Sequence, residues 1–177
     1  MVPLEGKDIK LRALDPLDID LLFEWENDTS IWLVSNTIVP FSRFILKKYI
    51  ERSHLDIYQT KQLRLMIDVK MEKGVETVGT IDLFDFDPFH QRAGVGILIK
   101  NKENRQKGYA SEALKILINY CFNTLNLHQL YCNIDVANAT SLKLFKKHNF
   151  QIIGEKKEWT RYGDKWIGEY MLQLIRI

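Results

Sequence analysis

The chain has 177 residues, of which 46% are hydrophobic and 27% are charged. This length and composition are typical of one globular domain, so we expect a single domain over residues 1–177 and exclude disordered, collagen-like and disulfide-stapled chains. The formal net charge is +2, from 25 basic and 23 acidic residues. A balance so near zero does not by itself indicate a nucleic-acid-binding protein.

The predicted strands and helices alternate along the whole chain. In order they are a strand over 9–14, helices over 15–26 and 42–52, strands over 65–71, 78–86 and 93–99, a helix over 110–122, a strand over 130–136, a helix over 138–147, and strands over 150–160 and 165–175. Asp15-Pro16 is typical of a helix start, and Lys73-Gly74 of a turn between two strands. The third strand of the central group, 93–99, is apolar on both faces, which indicates a central position. This order predicts an α/β (α+β) fold with a mixed sheet covered by helices.

The charges are distributed unevenly along this order. Residues 13–42 contain no Lys or Arg, although the chain has 25 of them. The same segment carries six carboxylates: Asp15, Asp18, Asp20, Glu24, Glu26 and Asp28. We therefore expect an acidic region near the N-terminus that attracts cations, although a solvated helix face explains the same pattern.

The two cysteines and the hydropathy of the chain predict the cellular compartment of the protein. Cys121 and Cys132 lie in apolar patterns without metal or redox spacing, which indicates buried free thiols in a reducing compartment. No apolar run approaches the ~18 residues of a membrane span. Residues 1–6 lack the basic and apolar regions of a signal peptide. We expect a cytoplasmic protein with no membrane partner.

The segment that carries chemistry lies between the central strand and the long helix. Residues 100–110 read Lys-Asn-Lys-Glu-Asn-Arg-Gln-Lys-Gly-Tyr-Ala. A loop that enters a helix exposes unpaired N–H groups at the positive end of the helix dipole, and Gly108 allows a ligand to approach that backbone. The loop lacks the Gly-Lys-Ser/Thr of nucleoside-triphosphate loops and the three glycines of dinucleotide folds. It predicts a pyrophosphate site without a metal.

These residues resemble a known family. Arg105-Gln106-Lys107-Gly108-Tyr109-Ala110 is similar to the Gln/Arg-x-x-Gly-x-Gly/Ala pyrophosphate motif of the GNAT superfamily of acetyl-CoA-dependent N-acetyltransferases, and Asn138-x-x-Ser141 to its second cofactor motif. Within the family, the spermidine and ribosomal-protein-alanine acetyltransferases are most similar. The resemblance implies a mostly antiparallel sheet of about seven strands, with helices on both faces and one splayed parallel strand pair.

The resemblance also implies an N-acetyltransferase that uses acetyl-CoA as co-substrate and needs no metal. In the family, the backbone of the central strand binds the pantetheine arm and the acetyl carbonyl. The residues implied to bind the cofactor are Ile97, Leu98, Ile99, Arg105, Gln106, Lys107, Gly108, Tyr109, Ala110, Ser111, Asn138 and Ser141. The positive charge of Lys100 and Lys102 is expected to favour the polyphosphate.

The catalytic groups are less completely specified. The attacking amine must be neutral, so the site needs a base, for which Asp82, Asp85 and Asp87 are candidates. Asp85 corresponds by spacing to a carboxylate of the spermidine enzymes and is therefore the first candidate for the base. Many family members place a Tyr one turn into the second cofactor helix, where this chain has Phe145. Ser141 is the alternative proton donor, although Ser141 and Asn138 also fit a helix cap.

The acceptor is expected to be a primary amine, either a polyamine-like molecule or a protein N-terminus. The spermidine enzymes carry a carboxylate after the Ala of the central strand, where Gly94 follows Ala93 here. Two other functions remain open, an acyl-CoA sensor without turnover and a nucleic-acid binder. The second would use Lys143, Lys146, Lys147, Lys156 and Lys157. The exposed edge of the final hairpin makes a homodimer a further expectation.

Overall fold

The computed structural model describes residues 3–35, 37–72 and 74–176. Its strands are β1 (Ile9–Ala13), β2 (Leu63–Met71), β3 (Gly74–Asp87), β4 (Arg92–Ile99), β5 (Gln129–Asp135), β6 (Gln151–Tyr162) and β7 (Lys165–Ile175). Its α-helices are α1 (Ile19–Glu26), α2 (Trp32–Ser35), α3 (Arg43–Glu51), α4 (Ile57–Thr60), α5 (Tyr109–Asn123) and α6 (Ala139–Lys147). The predicted turn residue Lys73 lies outside the described residues.

The seven strands form one sheet in the order β1-β2-β3-β4-β5-β7-β6. Every neighbouring pair is antiparallel except β4 and β5, which are parallel. A parallel pair needs a crossover, which α5 supplies between β4 and β5. The predicted fold class, a mixed and mostly antiparallel sheet with one parallel pair, is confirmed.

Helices pack on both faces because successive strand residues point to opposite sides. Leu65 and Ile67 of β2 join the core that contains the apolar side of α5, whereas Met66 joins a second core with α1 and α3. Both cysteines are buried free thiols, as the apolar patterns predict. The face that carries Met66 is the one on which the polar residues of the site converge.

Helix starts follow the capping side chains that the sequence offers. Asp15 caps a 3-10 turn, Pro16–Asp18, and not α1 itself, so the predicted 15–26 helix is divided in two. Ser42 caps α3 and Asn138 caps α6 through side-chain oxygens that accept backbone N–H groups. The short helices α2 and α4 were not predicted, because four residues carry too little periodicity to be recognised.

Candidate active site

The parallel pair opens into a cleft. Its ladder contains only the pairs Arg92–Gln129, Ala93–Leu130 and Gly94–Tyr131, although β4 continues to Ile99 and β5 to Asp135. Beyond Gly94 the two strands diverge, and a cleft of about 930 Å³ lies between them. On the side of β5, the backbone of β4 beyond Gly94 therefore faces this space and no other strand. Its N–H and C=O groups there are free to bind a substrate.

The predicted cofactor residues divide into cleft walls and an adjoining loop. Ile97, Leu98, Asn138 and Ser141 line the cleft. Ile99 is buried at the end of β4, and its carbonyl accepts a hydrogen bond from Arg105 Nε (2.9 Å). The loop from Arg105 onwards thus begins where the cleft wall ends.

The entrance to α5 has the geometry of an anion site. Gly108 is the residue before the helix, at φ = 92°, and no side chain caps the first turn. Arg105, Gln106, Lys107 and Gly108 are all exposed, and a Cβ at Gly108 would meet nothing within 4 Å. Free N–H groups at the positive end of a 15-residue helix suit a pyrophosphate. The residues present therefore fit the diphosphate of CoA.

Lys100 does not belong to this basic loop. Its side chain is only 7% exposed and is paired with the Asp28 carboxylate, from the loop after α1. Hydrogen bonds from Lys100 and Ser30 hold the pKa of Asp28 below its usual range. The expectation that Lys100 attracts polyphosphate is wrong, because its charge is used to hold the α1–α2 segment against the end of β4.

Ser111 and the start of α6 complete the cofactor side. The Ser111 hydroxyl lies 2.8 Å from His148 Nε2, which links the first turn of α5 to the end of α6. Asn138 Oδ1 accepts the Ser141 backbone N–H at 3.1 Å, so Asn138 is a helix cap as well as a wall residue. Phe145 is buried, lines the cleft and packs edge-on against Phe150 with the ring centroids 5.0 Å apart. The position of the family's Tyr hydroxyl is thus apolar in this chain.

Three charged residues form the acidic end of the cleft. Arg64 on β2 donates through Nε to Asp82 Oδ1 on β3 at 2.8 Å, and through Nη1 to Glu26 on α1 at 2.5 Å. Burial raises the pKa of Asp82 and the Glu26 charge raises it further, whereas Arg64 opposes both effects. One guanidinium between two carboxylates leaves this group with a net negative charge facing the cleft.

A second charged group lies at the opposite wall. Lys156 on β6 donates to Glu169 on β7 (2.9 Å) and to Asn133 on β5 (3.1 Å), and its ammonium lies 4.9 Å from the centre of the Trp159 ring. A β-bulge interrupts β6 between Lys156 and Thr160, and both residues line the cleft together with Trp159. Lys156 therefore belongs to the candidate site and not to a nucleic-acid-binding surface.

The structure separates the three candidate bases. Asp82 lines the main cleft, whereas Asp85 and Asp87 line a second cavity of about 490 Å³. Asp85 is exposed, has φ = 49° at a bulge in β3, and accepts a hydrogen bond from Tyr131 at 3.0 Å. Burial raises the pKa of Tyr131 to about 12, and the hydrogen bond to Asp85 adds to the shift. The first-ranked candidate is thus not brought together with the cofactor residues.

The acidic N-terminal segment is largely neutralised. Asp18 pairs with Arg12, Asp20 with Arg43 and Asp28 with Lys100. Of its six carboxylates, only Glu26 lines the cleft. Among the described residues, the carboxylates that line the cleft come from four separate elements: Glu26, Asp82, Asp135 and Glu169. The cleft is acidic, as expected, but the acidic N-terminal segment supplies only one of its four carboxylates.

Sequence reasoning missed Arg64, Glu169 and Asn133, and it assigned Lys156 to the alternative of a nucleic-acid binder. None lies in a recognisable motif, and their positions in the site depend on strand register. Alternation alone carried a partial signal, because Thr80, Asp82 and Phe84 fall on one face of a predicted strand. Which face that is follows only from the pairing of β3 with its neighbours.

None of the helices in the described ranges is both long and apolar enough to cross a membrane. Within residues 3–35, 37–72 and 74–176, no cluster of His, Cys, Asp and Glu side chains has the geometry of a metal site.

Comparison with known proteins agrees with the site. Residues 8–151 match the model of the acetyltransferase (GNAT) domain family. The chain is 27% identical over 150 residues to spermidine N(1)-acetyltransferase of Escherichia coli K12, covering 83% of this chain and 75% of that protein. It is 28% identical over 177 residues to the uncharacterized N-acetyltransferase p20 of Bacillus licheniformis, covering 99% and 97%.

A solved structure has the same fold. Spermidine N-acetyltransferase from Vibrio cholerae, in complex with CoA and spermine, superposes with a TM-score of 0.84 over 96% of both chains, at 20% identity. The family match covers most of the chain, and the diverging strands and the uncapped helix entrance are where the CoA thioester and diphosphate are expected. The chain therefore belongs to the GNAT acetyltransferase family and is an acetyl-CoA-dependent N-acetyltransferase.

Proposed function

We propose that this acetyltransferase acts on a small molecule with more than one amine, such as a polyamine, and that the ammonium groups bind in the acidic end of the cleft. The observation that carries the proposal is the charge of the lining, in which four carboxylates face two cations, Arg64 and Lys156, among the described residues. A cleft with excess negative charge attracts cations and raises their local concentration. The spermidine acetyltransferase relatives are consistent with such an acceptor.

The chain's own backbone would position the thioester. The Gly96–Ile97–Leu98 stretch of β4 faces the cleft where β5 has diverged. A backbone N–H that donates to the thioester oxygen stabilises the negative charge that forms there when the amine attacks. Removal of comparable donors costs about 3–4 kcal/mol of transition-state stabilisation.

The departing CoA sulfur needs a proton or a positive potential. Phe145 supplies neither, so we assign this role to the first turn of α6, where Ser141 lines the cleft. The N-terminus of this nine-residue helix carries a partial positive charge that favours a thiolate. Ser141 thus remains the proposed proton donor.

A protein N-terminus is the second candidate acceptor. The specific observation in its favour is Trp159, a cleft-lining residue whose surface is 59% exposed. An exposed indole at the mouth of a cleft suits an extended peptide backbone or an aromatic side chain. Gly94, where the spermidine enzymes carry a carboxylate, also weakens a strict spermidine assignment.

One assay separates the candidates. The protein is incubated with acetyl-CoA and a panel of diamines, polyamines and short peptides while thiol release is measured. We expect release with polyamines at kcat/KM at least tenfold above that with peptides of matched charge. Peptide preference would reverse the assignment, and tight CoA binding without release for any amine would indicate an acyl-CoA sensor.

Residence in the cytoplasm and self-association remain proposals. Two buried thiols, Cys121 and Cys132, support a reducing compartment, since neither forms a disulfide. A dodecameric structure is known for the spermidine N-acetyltransferase of Vibrio cholerae. The long exposed strand β6 supports an assembly of several copies of this chain as well.

A further inference from the structure

Two glycines of β4 differ in what covers them. Gly94 lies beneath the Phe84 ring, since a Cβ there would be 2.2 Å from Phe84 Cε2. Gly96, two residues further along the same face, is open, because the nearest atom to a Cβ would be Phe84 Cε1 at 3.9 Å. A notch therefore exists over Gly96, at the point where β4 and β5 diverge.

Asp82 borders this notch directly. It is the antiparallel partner of Gly96, and adjacent strand partners on one face have side chains within about 5.5 Å. Gly96 has no side chain, so nothing from β4 separates the Asp82 carboxylate from the cleft. Asp82 retains 25% side-chain exposure despite its bidentate contact with Arg64. It can therefore reach a ligand while Arg64 fixes its orientation.

Asp85 lies on the other side of an aromatic partition. The rings of Phe84 and Tyr131 pack edge-on, with their centroids 5.9 Å apart. Both residues are strand partners of Gly94, Phe84 on β3 and Tyr131 on β5. Along β3, Asp85 follows Phe84, whereas Asp82, the partner of Gly96, precedes it. Asp85 lines the second cavity. The partition separates the Asp85 carboxylate from an amine that occupies the notch.

We infer that the acceptor nitrogen binds in the notch over Gly96 and that Asp82 is the catalytic residue that accepts its proton, with Arg64 and Glu26 as positioning residues. The inference rests on the proposed N-acetylation. The ammonium transfers one proton to the Asp82 carboxylate, and the resulting amine attacks the thioester carbon. The N–C bond forms, the C–S bond breaks, the second proton of the nitrogen goes to the CoA sulfur, and Asp82 releases its proton to water.

The surroundings of Asp82 suit this role. A general base is most effective when its pKa is near the working pH, and burial raises the pKa of Asp82 in that direction. The charged and titratable groups around it come from three packed elements and the opposite wall. They are Glu26 of α1, Tyr49 of α3, Arg64 of β2, and Asp135, Lys156 and Glu169 across the cleft.

The test compares Asp82→Asn, Asp85→Asn and wild type over pH 6–10, with Asp164→Asn in the exposed β6–β7 turn as the matched control. We expect Asp82→Asn to lose about 10²–10⁴-fold in kcat at pH 7. The deficit should shrink as the pH approaches the amine pKa of about 10, because free amine then arises without a base. CoA affinity, measured by calorimetry, should change less than threefold.

Other outcomes contradict the inference. If the loss of kcat in Asp82→Asn stays constant with pH, Asp82 has a structural role and is not the base. A pH-dependent loss of kcat in Asp85→Asn alone would show that Asp85 is the base. If Asp82→Asn does not fold, Gly96→Val decides, since it fills the notch and leaves the Asp82–Arg64 pair intact. Unchanged amine turnover in Gly96→Val overturns the inference. Failure of the wild type to acetylate any amine would instead contradict the proposed acceptor.

Discussion

Gly94 and Phe84 show how one residue pair shapes the acceptor end of the cleft. A side chain at position 94 would occupy the place of the Phe84 ring, at 2.2 Å from Cε2. The Phe84 ring, in turn, packs edge-on against Tyr131 and lies between Gly94 and the Asp85 side of the site. The absence of a side chain at Gly94 therefore makes room for this aromatic wall.

A Gly94→Ala substitution should destabilise the protein through overpacking. The new methyl group displaces a ring held between two strands, which typically costs about 1–3 kcal/mol. Urea unfolding measures the change in free energy. Gly154→Ala is the matched control, because a Cβ there meets nothing within 4 Å and should change the midpoint little. Equal stability of the two variants would show that Phe84 does not pack on Gly94.

Individual site residues were predictable only where a local rule names them. Gly108 and Arg105 follow from a motif of six residues, and Asn138 from a helix cap. Asp82 was one of three aspartates in six residues, and no local rule distinguishes them. The distinction comes from a β-bulge at Asp85 and from the partner strand, which are long-range properties of the sheet.

The junction of β4 and α5 is the element on which cofactor binding depends. Gly108 has φ = 92°, a conformation that costs a residue with a Cβ roughly 1–2 kcal/mol. We expect Gly108→Ala to relax this strain by moving the free N–H groups, and to raise the CoA dissociation constant about tenfold, equivalent to 1.4 kcal/mol. Isothermal titration calorimetry with CoA measures the effect.

Gly163→Ala is the control for strain alone. Gly163 also has positive φ, at 59°, and open space around it, but lies in the turn between β6 and β7. It should lose comparable stability and keep wild-type CoA affinity. Weaker CoA binding in both variants would attribute the effect to general destabilisation and contradict the anion site at α5.

An ion pair between a buried ammonium and a partly exposed carboxylate connects two other elements. Lys100 follows β4, and Asp28 precedes α2. Ile31, just before α2, and Ser35, its last residue, line the cleft. Asp28→Asn should lower the urea midpoint, because it leaves the buried ammonium of Lys100 with a neutral partner. The double variant Asp28→Asn with Lys100→Met should recover part of the loss. Asp20→Asn, which breaks an exposed pair with Arg43, is the control and should have little effect.

The pH dependence of this pair has a defined sign. The pKa of Asp28 is lowered in the folded protein, so its stabilisation is present above the ordinary Asp pKa of about 3.9. It is lost as the pH falls through the lower folded value. The stability difference between wild type and Asp28→Asn should therefore be constant above about pH 5 and shrink below about pH 4. A difference that grows on acidification would exclude this ion pair as its source.

The order and type of the long elements were predictable, and their exact extents were not. Periodicity located α5 and six of the strands to within a few residues, since each buries a regular apolar face. The strand predicted over 78–86 begins four residues earlier, at Gly74, because backbone pairing with β2 continues through a polar stretch. Backbone hydrogen bonds between strands do not require apolar side chains. A hydropathy pattern therefore does not indicate how far such a strand extends.

At the scale of the whole molecule, charge is arranged around one cleft, not along one segment. The basic loop after β4 lies at the end of the strand whose middle faces Asp82 and Glu26. Two substrates of opposite charge can thus approach the same strand from different sides. The N-terminal acidic run contributes to this arrangement mainly by pairing with basic residues of other elements.

Strand β6 is the exposed edge of the sheet, and we expect it to be covered by a second copy of the chain. It has 12 residues and pairs only with β7. A long edge with apolar side chains promotes association unless it is covered. The large hydrophobic side chains exposed on this hairpin, among the described residues, are Ile152, Ile153, Trp159 and Tyr162 of β6 and Trp166 and Ile175 of β7. Four of these side chains lie on the edge strand β6 itself, more than scattered surface residues explain.

Light scattering after gel filtration tests this expectation. The wild type should elute at a multiple of the 20.9 kDa chain mass. Ile153→Lys places a charge among the exposed apolar side chains of β6 and should shift the population towards the single-chain mass, while CoA affinity is retained. Val75→Lys is the matched control, because Val75 is 67% exposed on β3, far from β6 in the sheet order, and should leave the assembly intact. A wild type that elutes as a single chain at micromolar concentration would show that β6 is protected by its two bulges alone.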